Sequence, residues 1–358
     1  MTTRVAVWST GTLGRHAIAG IDRNPELELV GVFVSNPDKD GKDAGQLADL
    51  GRDLGVIAST DRDSVLAAKP DCIVYCAITE DRFFEAYEDL VGFLEAGINV
   101  VASGPVILLY PNPTLPDSMW ERIEEAGKTG NASLHANGID PGWANDIFPL
   151  QLTSLSQRID QVRVLEIADY STYDQAVTMG EIFGFGKPID EVAPLWQPGM
   201  LASGWGPVVR QMAAGLGVTL DEPLVEVVER LPAEADMSTV CVDIKAGTMA
   251  AVRFEVIGMV DGEPRIVVEH VTRTHVDQAP DWPKPASGDG SYRIEITGEP
   301  MMTVDFTHKG EFGDHNDSGM IITAQRLVNA VPAVVAAKPG LVTALDLPLV
   351  TGRGIVGV

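Results

Sequence analysis

Ser9-Thr10-Gly11-Thr12-Leu13-Gly14 interrupts an apolar run that ends at Trp8 and resumes at helical spacing through Leu13, Ala17, Ile18 and Ile21. Such a strand-to-helix corner leaves the first amide N–H groups of the helix available to an anion. Set against the dinucleotide pattern G-x-G-x-x-G, Ser9 takes the first glycine's place, and Gly11 and Gly14 take the second and third. Gly11 lets the backbone approach a diphosphate, and Gly14 lets the helix pack closely on the strand. A tight turn that needs glycine for packing alone is the plainer alternative. The position of the corner, after the first strand and at the head of alternating strands and helices, favours a cofactor.

The tip of the second strand sets the cofactor type. An NAD site wants an acid there for the ribose hydroxyls. Here the tip reads Val34-Ser35-Asn36-Pro37-Asp38-Lys39. Ser35, Asn36 and Lys39 suit a 2′-phosphate, so NADP is expected, with NAD as the alternative that Asp38 keeps open. Ligands of such sheets bind at the carboxyl ends of the strands. Ala77, Ile78 and Thr79 after the fourth strand, and Ser103 and Gly104 after the fifth, are therefore counted with the cofactor site. Asp140, in Gly138-Ile139-Asp140-Pro141-Gly142, follows the sixth strand and is the candidate acid/base; its alternative role is to cap the next helix or to form a turn before Pro141. Trp143, Met179, Phe183 and Phe185 suit an apolar substrate pocket or plain core. Neither G-x-S-x-G nor H-E-x-x-H occurs. The six histidines (His16, His135, His270, His275, His308 and His315) lack metal-ligand spacing, so no metal is expected. His308 and His315 flank an acidic loop and read as surface or loop residues.

The elements that must position these residues alternate up to residue 148. Strands are expected at 4–8, 27–34, 56–58, 71–77, 98–102 and 132–136. Helices between them include 63–68, 80–96 and 117–126. The stripe of the 80–96 helix reads Phe83, Phe84, Tyr87, Leu90, Val91 and Leu94. This order predicts a Rossmann-type, doubly wound parallel sheet of the α/β class. Beyond it the chain changes character: a strand at 160–170, a Gly-rich helical stretch at 174–217, then long alternating strands from 223 to 308. VCVDIKAG, AVRFEVIGMV and RIVVEHVTRTHV read as antiparallel neighbours, with VDGEP as a hairpin turn. Residues 318–337 are helical again. The expected organisation is a dinucleotide domain over 1–148, an inserted α+β substrate and dimerisation domain over 149–317, and a segment over 318–358 that returns to the first domain.

Composition bounds the partners. The 358 residues are 45% apolar, ample for two cores. With 26 basic against 51 acidic side chains, the net charge of −25 disfavours nucleic acid and anionic membrane surfaces. No apolar run is read as reaching the ~20 residues of a bilayer span, and a cytoplasmic location is expected. The three cysteines, Cys72, Cys76 and Cys241, form no disulfide framework, and the first two read as buried small hydrophobes.

VAVWSTGTLG, SNPDKDGKDAGQL, NGIDPGWANDIFP, TAQRLVNAVPAVVAAKPGL and DLP follow one another along the chain. In this order they resemble the 2,4-diaminopentanoate dehydrogenase and native amine dehydrogenase family of the dihydrodipicolinate reductase-like superfamily. The resemblance covers nearly the whole chain. It implies hydride transfer between a nicotinamide cofactor and the C=N or C=O carbon of a small substrate, and a homodimer. It aims Tyr173 at the substrate and brings Thr323 and Asn329 toward the nicotinamide. Two departures follow. The paired histidines and lysine of true dihydrodipicolinate reductases are missing. The glutamate that amine dehydrogenases of the family place after the fifth strand has no counterpart, since no carboxylate occurs from Gly97 to Pro116. The expected function is an NAD(P)-dependent oxidoreductase. The alternatives are a non-catalytic NADP-binding sensor, and an imine or carbonyl reductase without amine dehydrogenase activity.

Overall fold

The computed structural model describes residues 2–311 and 313–357. The chain forms two compact units, one of residues 1–143 with 320–358, the other of residues 144–319.

The first unit opens with β1 (Thr3–Trp8), α1 (Thr12–Arg23) and β2 (Leu27–Phe33). Then come α2 (Ala44–Leu47), β3 (Ala58–Ser59), α3 (Arg62–Ala67), β4 (Cys72–Tyr75), α4 (Phe83–Glu95), β5 (Asn99–Ala102), α5 (Asp117–Gly130) and β6 (Ser133–Ala136). Alternation along β1 sends Val5 and Val7 to one face of the sheet and Ala6 and Trp8 to the other. The first pair joins the core under α1, and the second joins the core under α4 and α5. Both faces are therefore apolar, as a parallel sheet between two helix layers requires. Phe84 was expected in the α4 stripe, yet it is 71% exposed, while Phe93 is fully buried against Trp8 at 4.8 Å. α4 packs on α5 as well as on the sheet, which moves its apolar arc toward Phe93.

The second unit contains α6 (Ile147–Thr153), β7 (Arg158–Asp169), α7 (Met200–Gly204), α8 (Gly206–Leu216), β8 (Asp221–Pro232), β9 (Met237–Ser238), β10 (Asp243–Ile244), β11 (Met249–Val260), β12 (Glu263–Arg273), β13 (Gly290–Glu299) and β14 (Met302–Phe306). Its six-stranded sheet runs β14-β13-β7-β12-β11-β8. β12 lies parallel to β7, and the other pairs are antiparallel, so the sheet is mixed. Asp261 and Gly262, with φ of 52° and 78°, form the two-residue turn between β11 and β12. The segment VCVDIKAG is not a strand of this sheet. Only Asp243 and Ile244 pair, with Ser238 and Met237, in a separate two-stranded ribbon. The neighbour of β11 is instead β8, whose Glu- and Val-rich pattern suits an edge strand with solvent on several sides.

The chain ends with α9 (His315–Val335) and β15 (Gly340–Leu341). β15 completes the first sheet, whose parallel order is β15-β6-β5-β4-β1-β2-β3. β1 is followed by β2 on one side and flanked by β4 on the other, so the order reverses at β1/β4, where such sheets bind ligands. α9 spans 21 residues and is apolar enough, by length and composition, to cross a bilayer, contrary to the sequence expectation. It is a core helix: Ala324, Leu327, Val328, Ala330, Val331 and Val334 are fully buried with α1 and the sheet.

Candidate active site

The glycine corner is built by close packing. Gly14 has no room for a side chain, because a Cβ there would lie 2.0 Å from the carbonyl oxygen of Ser9. Ser9 itself sits at φ 83°, the left-handed region that favours glycine, at the place where the dinucleotide pattern has its first glycine. Around Gly11 a Cβ would meet nothing within 4 Å, so the approach to the amide end of α1 is open. A cleft of about 570 Å³ lies there, lined by Thr10, Gly11, Thr12, Arg15, Lys39, Lys42 and Asp49 among others. Three cations thus face one carboxylate, and Asp49 pairs with Arg15 at 2.8 Å. Lys39 reaches back to the corner, donating to the Thr10 carbonyl at 2.7 Å and to Thr10 Oγ1 at 3.2 Å. Burial, then the nearby Arg15 and Lys42 charges, push its pKa down. Ser35 and Asn36 are exposed on the same loop, where Asn36 accepts from the Asp38 amide.

The other residues expected at the cofactor lie at the carboxyl ends of the first sheet. Thr79 touches Gly104 so closely that a Cβ on Gly104 would lie 2.6 Å from Thr79 Oγ1. Ser103 is tied to the Tyr75 carbonyl through its amide at 3.1 Å. Ala77 and Ile78 continue the chain beyond β4, Ile78 exposed. After β6 a tight turn closes with the Trp143 amide on the Gly138 carbonyl at 3.0 Å, and half-buried Asp140 stands in it. Thr323 Oγ1 accepts from the Ile139 amide at 3.3 Å, which ties α9 to this turn. Asn329 follows six residues later, about 240° around the helix axis, and so faces another direction. The cap of α6 is Asp146, which accepts from the Ile147 amide and from Gln211 Nε2, not Asp140.

In the second unit, register assembles a polar row that sequence reasoning missed. Tyr292 on β13 is the cross-strand partner of Glu166 on β7, Glu166 of His270 on β12, and His270 of Phe254 on β11. Glu166 is 7% exposed. Its Oε2 accepts from Tyr170 Oη at 2.9 Å and lies 3.0 Å from His270 Nδ1, and its Oε1 accepts from Tyr292 Oη at 2.9 Å. Burial raises the pKa of Glu166, but the His270 hydrogen bond and charge, His315 and the Tyr170 hydroxyl outweigh it and hold the carboxyl well below the usual range. Phe254 stacks on His270 at 4.7 Å, and Trp205 meets its edge at 4.8 Å. The signal was present in the sequence: Val162, Val164, Glu166 and Ala168 alternate onto one buried face of β7, so a carboxylate stands where the pattern demands an apolar residue.

The candidate pocket residues of this unit divide. Tyr173 packs its ring 4.8 Å from that of Tyr170, and Phe183 lies 6.2 Å from Tyr170. Met179, within a π-helical segment at Val177–Phe183, is fully buried, and Phe185 stacks on Phe183 at 5.6 Å. Trp143 belongs to the first unit.

Of the two histidines read as surface or loop residues, His308 lies in a loop, half-buried, whereas His315 is buried at the start of α9. His315 is 5% exposed and stacks on half-buried His308 at 4.2 Å, beside Tyr292. The space exists because residue 290 is glycine: a Cβ there would lie 2.3 Å from the His315 ring. Burial lowers both histidines, His308 to about 4. Both line a polar cleft of about 1020 Å³ with Asp289, Lys309 and Asp314. Cys72 and Cys76 are buried, and burial pushes the Cys76 thiol up to about 12.

Comparison with known proteins agrees with this geometry. A family model described as the 2,4-diaminopentanoate dehydrogenase C-terminal domain matches residues 144–356, and one described as the dihydrodipicolinate reductase N-terminus matches residues 3–81. An amine dehydrogenase of Streptomyces virginiae is 42% identical over 355 residues, 98% of each chain. A 2,4-diaminopentanoate dehydrogenase of Acetoanaerobium sticklandii is 24% identical over 99% of this chain and 95% of its own. The solved amine dehydrogenase of Mycobacterium smegmatis shares the fold with a TM-score of 0.78 at 23% identity, covering 99% of this chain and 98% of the other. The nucleotide-type corner, the Rossmann strand order and these matches together place the chain in the 2,4-diaminopentanoate dehydrogenase family, as an oxidoreductase.

Proposed function

We propose that the protein is an NADP-dependent amine dehydrogenase that interconverts a small, largely apolar amine and its carbonyl counterpart. The observation that carries this reading is the cation-lined cleft at the start of α1, with Gly14 closed to any side chain and Gly11 open. These residues fit a dinucleotide: the Thr12 and Leu13 end of α1 suits the diphosphate, and Lys39, with Ser35 and Asn36 on its loop, suits a 2′-phosphate. When bound, the dinucleotide supplies the hydride acceptor, and the net oxidation of an alkylammonium ion with one water yields carbonyl, ammonium and one proton. The chain's own part is to hold the phosphates, orient the amine and move that proton. Asp140, in the turn beyond the carboxyl end of β6, is the carboxylate proposed for proton transfer. The aromatic group of Tyr173, Phe183 and Phe185 suits an apolar substrate side chain. The choice of an amine leans on the relative at 42% identity.

Calorimetric titration with NADPH and NADH, followed by assay of a panel of small primary amines with NADP⁺, tests the reading. Tighter binding of NADPH and amine-dependent reduction of NADP⁺ are expected. Asp140→Asn should then lower turnover without loss of NADPH affinity. Tight NADPH binding with no turnover on any amine or carbonyl would favour a nucleotide sensor, the second reading, which the lack of any carboxylate from Gly97 to Pro116 supports.

The working form in this proposal is a homodimer. β8 is an edge strand, and its Val225, Val227 and Val228 are 41%, 46% and 40% exposed. Exposed apolar edges are commonly covered by assembly. Sedimentation giving a single monomeric species would overturn this.

A further inference from the structure

We infer that Tyr170, held by Glu166, receives the substrate nitrogen: the amine in oxidation, ammonium in the reverse direction. This rests on the amine dehydrogenase reading and names the nitrogen-binding group within it. Two hydroxyl donors and the His270 ring converge on the Glu166 carboxylate, and burial separates their roles. Tyr292 is 2% exposed, and His270 is 3% exposed between Phe254 and Trp205. Tyr170 is half-buried, so of the three it is the most accessible to an incoming ligand. With its proton committed to Oε2 at 2.9 Å, the phenol oxygen acts toward an N–H group as an acceptor, polarised by the carboxylate behind it.

The surroundings suit an ammonium group. The Tyr173 and Phe183 rings pack 4.8 and 6.2 Å from the Tyr170 ring, so the phenol has an aromatic surround of the kind that tolerates a cation. Position is fixed by backbone as well as side chain. The Tyr170 amide donates to the Arg273 carbonyl at 2.7 Å, the Tyr173 amide donates to the Tyr170 carbonyl at 3.1 Å, and Asn316 Nδ2 donates to the Asp169 carbonyl at 2.8 Å. A binding group needs this kind of support. Glu166 is then a positioning residue acting through Tyr170. Together they offer an acceptor for nitrogen in a chain that has no carboxylate from Gly97 to Pro116.

Reductive amination by the full-length protein tests this, with NADPH, ammonium chloride and a ketone that the wild type accepts. Tyr170→Phe and Glu166→Gln should each raise the KM for ammonium about tenfold or more, the worth of a charge-assisted hydrogen bond. The KM values for ketone and NADPH should stay within about threefold. Glu166→Asp should recover part of the loss, and the double variant should be no worse than the single ones. An unchanged ammonium KM in Tyr170→Phe, which removes one oxygen and spares the packing, overturns the assignment. So does a rise of all three KM values together, the mark of a structural defect. Absence of wild-type turnover on every amine and carbonyl sinks the amine reading and this assignment with it; turnover with indifferent variants sinks the assignment alone.

Discussion

Lys39 Nζ lies 2.7 Å from the Thr10 carbonyl oxygen, so the loop after β2 is latched to the glycine corner. A residue beyond the tip of one strand thereby stands beside the amide end of a helix that begins 27 residues earlier. In the proposed NADP reading, that position makes it the side chain through which a 2′-phosphate would be distinguished from a free hydroxyl.

Replacing Lys39 by Ala should lower NADPH affinity about tenfold or more while changing NADH affinity far less, because the lost interaction is a charge-assisted one to a phosphate. Paired calorimetric titrations read the ratio. Equal losses for both cofactors would show that Lys39 serves the corner itself.

Ser9 and Gly14 predict opposite outcomes. Gly14→Ala forces a Cβ to 2.0 Å from the Ser9 carbonyl. It should cost about 1–3 kcal/mol or more and abolish dinucleotide binding. Ser9→Gly relieves a left-handed conformation worth about 1–2 kcal/mol, less about 0.5–1 kcal/mol for the greater freedom of glycine when unfolded. The net expectation is a small gain of up to about 1 kcal/mol in denaturant unfolding, with binding retained.

Asp43 should make stability depend on pH in the acid range. Its buried carboxylate accepts the Gly45, Leu54 and Gly55 amides, each at 2.7 Å. Burial pushes its pKa up, but the Leu54, Gly45 and Gly55 amides outweigh this and hold it below the usual value. A folded pKa below the unfolded one means stability that is complete above about pH 4 and lost as pH falls through the folded value. Asp43→Asn should therefore melt lower than wild type near neutrality, and the gap should close on acidification.

Gly290 should tolerate no side chain. Gly290→Ala drives a methyl group to 2.3 Å from the His315 ring. An overpacking cost of about 1–3 kcal/mol is expected. The shift of His315 should also appear in its imidazole NMR signals, whereas a purely local strand defect would leave them in place.

Much of the first unit is legible in sequence because its signals are local. The apolar run to Trp8, the glycines at 11 and 14 and the helical spacing from Leu13 to Ile21 lie within one short stretch, and the structure has the corner there. Cys72 to Tyr75 reads as a buried strand because it is apolar on both faces, with Cys72 and Val74 in one core and Ile73 and Tyr75 in the other. The second unit was less legible. VCVDIKAG has the alternation of a sheet strand but pairs only in a small ribbon, and β8 takes the place expected for it, since strand order is not written in any one strand's pattern. His308 and His315 read as surface or loop residues beside an acidic loop, and the missing side chain at Gly290 opens the space that buries His315.

By itself the sequence determined the nucleotide-type corner, the alternation that builds a two-faced parallel sheet, and the departure from the family at the end of the fifth strand. Tertiary structure alone decided that Glu166 meets Tyr292, 126 residues away, together with Tyr170 and His270. The physical reason is register. Each strand's pattern says which face a residue takes, but which residues stand opposite one another depends on the order and offset of strands from distant parts of the chain.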